Sequence, residues 1–165
     1  MAATMLIREK NGAGETPTNK TGGTIRFKNA DDANVDTSNP MVVPGAGSDW
    51  SFEKWLRMNV DGAFTEISNL KFYTDGANGY GTGILQWAKA VASFATPAEG
   101  TGSAGYSDAF GYTSGAPLSL GAGPFDSTGV PKDIGSYLVM LAEVQSTASQ
   151  GAKPAETMTL AWDEI

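Results

Sequence analysis

The chain has 165 residues with 11 basic and 18 acidic side chains, a formal net charge of −7, and neither histidine nor cysteine. Those two absences remove imidazole proton shuttles, Ser-His-acid triads, thiol nucleophiles, disulfide scaffolds and the usual zinc and iron–sulfur ligand sets. The acidic balance argues against direct nucleic-acid binding, and no apolar run of about 18 residues supplies a membrane-spanning helix.

Residues 1–22 read as an extended N-terminal arm. Met5-Leu6-Ile7-Arg8 is a short strand within it, and Asn11 to Pro17 is turn material. Leu6 and Ile7 are candidate contacts with a neighbouring protein. The first eight residues are too few and too weakly basic for a secretory leader. Residues 23–165 form a single domain. At its start Thr24-Ile25-Arg26-Phe27-Lys28 alternates and is expected to be a strand. Asp31, Asp32, Asn34 and Asp36 gather oxygen ligands, but they lack the sharp-turn glycine and distal glutamate of a calcium loop. They read as a solvated acidic loop, and no metal or other cofactor is expected.

From Phe52 to Val60 one parity is mostly apolar (Phe52, Leu56, Met58, Val60), with Lys54 as its exception. Trp55 is the exception on the polar parity, beside Glu53 and Arg57, which makes it a candidate inter-subunit contact. Asp61-Gly62 leads into a strand at 67–74 with Leu70 and Phe72 on one face, so the two segments are expected to pair as an antiparallel unit. Asp61 and Glu66 have nothing to fix the carboxylate separation of a glycosidase. The glycine-rich run from Gly76 to Gly83 lacks the Gly-Lys-Ser/Thr ending of a phosphate loop; it reads as a turn that presents Tyr80 as a contact. Residues 84–94 fit either a helical stripe or a strand, and their glycine-rich flanks favour a strand.

Between Ser93 and Pro131 the only charged residues are Glu99, Asp108 and Asp126. Residues 95–131 therefore read as one long glycine-rich contact loop pinned by spaced aromatics, among them Tyr106, Phe110 and Tyr112 as contact candidates. Ser136 to Val144 is apolar on both parities, the mark of an interior strand covered on both faces. Met158, Leu160 and Trp162 should point inward from a last strand, and Trp87 and Trp162 belong in the core. Six or seven strands between glycine-rich loops make an all-β fold, an antiparallel β-sandwich or jelly-roll-like domain. No constellation of catalytic groups emerges, and the chain reads as a non-enzyme.

The stretch from Trp50 to Gly76 (WSFEKWLRMNVDGAFTEISNLKFYTDG) resembles small structural proteins of tailed bacteriophage particles. Ser136–Val144 and Glu156–Glu164 (ETMTLAWDE) are similar to the closing strands of such proteins. The resemblance covers roughly a third of the chain. It implies a virion component that decorates or cements the capsid, made in the host cytoplasm and placed on the outer capsid surface. Its partners would be the major capsid protein and copies of itself. Two other readings stand beside it: a head–tail connector or tail-associated protein, and a carbohydrate-binding module with exposed tryptophan rings.

Overall fold

The computed structural model of the protein describes residues 3–165. Ten strands follow in chain order: β1 (Thr4–Asn11), β2 (Thr16–Asn19), β3 (Ser48–Trp50), β4 (Lys54–Asp61), β5 (Ile67–Tyr73), β6 (Ile84–Val91), β7 (Ser107–Asp108), β8 (Leu118–Gly121), β9 (Lys132–Gln145) and β10 (Thr159–Glu164). One 3-10 turn, Ala109–Gly111, is capped by the Asp108 carboxylate, which accepts from the Phe110 N–H. The strands form two antiparallel sheets. The larger runs β2-β1-β4-β9-β6-β7, with β3 also pairing with β9; the smaller runs β10-β5-β8. Packed against each other, they make a sandwich-like all-β domain.

The double-sided apolar pattern of β9 has a simple cause. Leu138 and Met140 face the smaller sheet, in one core with Leu56, Met58, Val60, Leu70 and Phe72. Tyr137 and Val139 face the other way, in a second cluster with Trp55 covered by Val91, Phe94 and Tyr106. Because β9 lies between β4 and β6 and is covered on both faces, every position from Tyr137 to Val144 is buried.

Three expectations change. The N-terminal segment is built into the larger sheet instead of forming an arm: β1 pairs with β4 from Thr4↔Asp61 to Lys10↔Trp55, and β2 folds back onto β1 as the sheet edge. The Lys20 N–H donates to the Ile7 carbonyl, so the parity of the pair turns Pro17 outward, where its missing N–H blunts the edge against further strands. Residues 24–28 belong to no strand. And β4 and β5 do not pair with each other: the link through Phe64 carries the chain from one sheet to the other. Stacking the Leu56–Met58–Val60 face on the Leu70–Phe72 face buries both, which side-by-side pairing would not do.

The aromatics of segment 95–131 pack onto the sandwich, and the segment is several short pieces instead of one loop. It contains β7, the 3-10 turn and β8. At the start of β9, Gly135 adopts φ 68°, beside the irregularity that offsets Leu56 and Met58 against Leu138 and Ile134. A Cβ there would lie 2.6 Å from the Leu120 carbonyl oxygen. This glycine lets β8 approach β9 closely enough for the sheets to meet.

Candidate interaction surface

Two surfaces stand out, one on each face of the larger sheet. On the outer face, the ring of Trp55 (3% exposed) packs edge-on against Phe94 and Tyr137, with centroids 5.3 and 5.5 Å apart. Its indole N–H donates to Glu53 at 2.9 Å. Trp55 is therefore a core residue in this domain, and its buried ring is not presented as an inter-subunit contact. Its odd parity reflects a sheet buried on both sides at this point. Arg57 forms no ion pair with Glu53 or Glu66 among the described residues. It lies 4.4 Å from the Tyr137 ring centroid and donates to the Gly135 carbonyl.

The loop aromatics singled out as contacts serve as anchors. Tyr106 is half-buried: the Lys89 ammonium sits 3.9 Å from its ring centroid, and its hydroxyl donates to Glu53. Burial, with the adjacent Glu53 carboxylate, pushes the Tyr106 phenol far above its usual range. Phe110 is buried and meets the edge of Tyr80 at 5.9 Å; Tyr112 meets Phe72 at 6.3 Å. Tyr80 donates its hydroxyl to Gln86, and burial, aided by the Glu156 carboxylate, pushes its phenol up to about 12. These rings hold down a segment whose small residues Ala104, Gly105, Ser114, Gly115 and Ala116 are exposed. Leu6 and Ile7 are half-buried on opposite faces of β1.

Further along the outer face, Glu143 (7% exposed) accepts hydrogen bonds from the Trp87 indole at 3.0 Å, Ser48 at 2.7 Å and Gln145 at 3.2 Å. Trp50 stands opposite it in register, so two half-exposed indoles flank one buried carboxylate.

The inner face holds what the sequence reading missed. Ile7, Leu56, Leu138, Ala142 and Val144 floor a groove of about 920 Å³, bordered by two irregular segments within 22–43 and 149–156. The first of these is tied down by buried lysines. Glu9 (0% exposed) accepts from Lys54 (1% exposed) at 3.0 Å, and Lys20 lies 3.6 Å from its other oxygen. Lys54 also donates to the Asp32 carbonyl, and Lys20 to those of Thr24 and Ala33. Lys28, fully buried, reaches the carboxylates of Asp32 at 2.7 Å and Asp36 at 2.9 Å.

The acidic run is thus solvated only in part: Asp32 and Asp36 are tied to the buried Lys28, while residues 34–40 stay exposed. Asp31 accepts from the Asn11 amide and the Gly12 N–H, both at 2.7 Å. Hydrogen bonding to Lys28 holds the Asp32 and Asp36 carboxyls below their ordinary range, and the same bonds raise Lys28. Among the described residues no group of three or more acidic side chains is placed to hold a metal. The one trace of this network in the sequence was Lys54, a lysine on an otherwise apolar parity. Its partners lie 22 and 45 residues away, so no local pattern identified them.

Comparison with known protein families, with characterised proteins and with solved structures finds no match to this chain.

Proposed function

We propose that the protein is a non-enzymatic structural component of a bacteriophage particle that decorates or cements the capsid shell from its outer surface. In this reading it contacts the major capsid protein and neighbouring copies of itself. The observation that carries it is the segment from Thr101 to Pro117, where Ala104, Gly105, Ser114, Gly115 and Ala116 face solvent while Tyr106, Phe110 and Tyr112 are anchored on the sandwich. Small residues let a partner surface approach closely, and anchoring removes most of the ordering cost of binding. Repetition over a symmetric shell then multiplies weak contacts through effective concentration. The phage resemblance of the Trp50–Gly76 and C-terminal segments supports the same reading.

Deleting the first 20 residues would remove β1 and β2 from the sheet and test folding instead of binding. The suitable variants are Ala104→Arg and Ser114→Arg, both at exposed positions. Shell occupancy, counted by electron microscopy on particles assembled with each variant, is expected to fall while thermal stability is unchanged. Full occupancy by both variants would refute the contact. Closed rings of the isolated protein would favour the head–tail connector reading.

The Trp50–Glu143–Trp87 patch favours a second reading, a carbohydrate contact, because paired indoles beside a hydrogen-bonding carboxylate suit a sugar ring. Quenching of tryptophan fluorescence by a soluble glycan, lost in Trp87→Ala, would support it; a glycan panel without any response would end it.

A further inference from the structure

We propose that the inner-face groove is a docking slot for one extended strand of another polypeptide, alternating apolar with polar side chains and carrying a carboxylate opposite Arg26. The proposal rests on the decoration reading, in which that polypeptide belongs to the shell.

The groove is bordered by irregular segments whose backbone is largely unpaired, beside the outer strand β10 of the smaller sheet. Ile25 and Phe27 pack against the main core, and they line the groove together with Arg26, all three half-buried. Yet among the described residues none of the backbone N–H groups of Ile25, Arg26 and Phe27 makes a hydrogen bond. Residues 150–157, on another border, likewise make no backbone–backbone hydrogen bond. They lead into β10, which ends the smaller sheet with no strand beyond it, and Met158 and Leu160 line the groove. Unpaired main-chain donors and acceptors beside an apolar floor are what strand addition uses.

The volume agrees. A residue in a packed sheet takes roughly 3.3 Å of rise, 4.8 Å of strand spacing and 10 Å of layer depth, or about 160 Å³. The groove of about 920 Å³ therefore matches a strand of about six residues. Charge adds the direction of recognition. In a chain of net charge −7, the Arg26 guanidinium on the groove wall has no ion pair or hydrogen bond among the described residues. The Lys153 amine, also on the wall, bonds only the Ser149 hydroxyl. An acidic residue in the incoming strand opposite Arg26 complements that unpaired charge.

The test uses the isolated full chain and a fluorescein-labelled peptide of about six residues, alternating valine with threonine and carrying one central aspartate. Fluorescence polarisation is expected to show saturable micromolar binding, weakened about tenfold by Arg26→Glu through loss and reversal of one charge contact. Ala142→Trp, which fills the floor, is expected to abolish binding. Arg26 is half-exposed, so its variant keeps the readout if Ala142→Trp fails to fold. Absence of saturable binding, or binding indifferent to Arg26→Glu, overturns the inference. So does saturable uptake of a fluorescent long-chain fatty acid in place of the peptide, or a concentration-dependent dimer that Arg26→Glu disrupts; either gives the slot a different occupant. Peptide binding needs no capsid and the occupancy test of Ala104 and Ser114 needs no groove, so each reading can fail alone.

Discussion

Replacing Glu9 by leucine removes the carboxylate between two buried ammonium groups. Lys54 and Glu9 are both 1% exposed at the side chain, and the Lys20 side chain is 6% exposed. Taking one partner from such a pair leaves an uncompensated buried charge and costs about 3–5 kcal/mol. Lys20 keeps the Thr24 and Ala33 carbonyls and Lys54 keeps that of Asp32, which places the expected loss near 4 kcal/mol and not above it. For a domain of this size, about 2–4 °C per kcal/mol gives a fall in Tm of about 8–16 °C. Lys54→Met alone should be similarly damaging. The double variant Glu9→Leu/Lys54→Met should recover part of the loss, to a cost smaller than the sum of the single ones, because Lys54 leaves with its carboxylate while Lys20 keeps the Thr24 and Ala33 carbonyls. Urea unfolding of all four proteins measures the coupling. Additive single losses, or a Glu9→Leu cost below about 1 kcal/mol, would refute the buried-pair argument and with it the anchoring of the 20–36 segment.

Two further outcomes follow from the same geometry. Asp32 and Asp36 have carboxyls lowered from 3.8, so their bonds to Lys28 stabilise the 28–36 segment fully above that ordinary value and lose the contribution as pH falls through the lowered ones. Limited proteolysis with an acid-active protease should therefore show the exposed 34–40 stretch becoming susceptible first as pH drops below 3.8, while the wild type resists at pH 5; cleavage independent of pH would contradict it. Gly135→Ala puts a side chain at φ 68° with its Cβ 2.6 Å from Leu120 O and Leu70 Cδ1. It should cost at least about 2 kcal/mol, read as a lower urea midpoint, since backbone strain and the clash act together. A neutral result would mean that β8 need not approach β9 so closely.

Most strands were legible because their evidence is local. Period-2 alternation marks Leu56, Met58 and Val60, and apolar residues on both parities mark β9; each reports burial of a face without naming what buries it. The same alternation misled at Thr24 to Lys28, where the pattern is present but the hydrogen-bonding partner is not. Trp55 misled for a related reason. Its polar neighbours Glu53 and Arg57 suggested solvent, whereas the Phe94 and Tyr106 rings fold over that face from residues far along the chain.

By itself the sequence determined an all-β chain, the positions of its main strands, and the chemistry it lacks through having no histidine or cysteine. Tertiary structure alone decided that β4 and β5 lie in different sheets, that Lys54 and Lys28 are buried beside carboxylates, and that a groove opens beside β10. The physical reason is the same in each case. Alternation is set by neighbouring residues, whereas the partner of a strand edge or of a buried ammonium is set by packing between segments tens of residues apart.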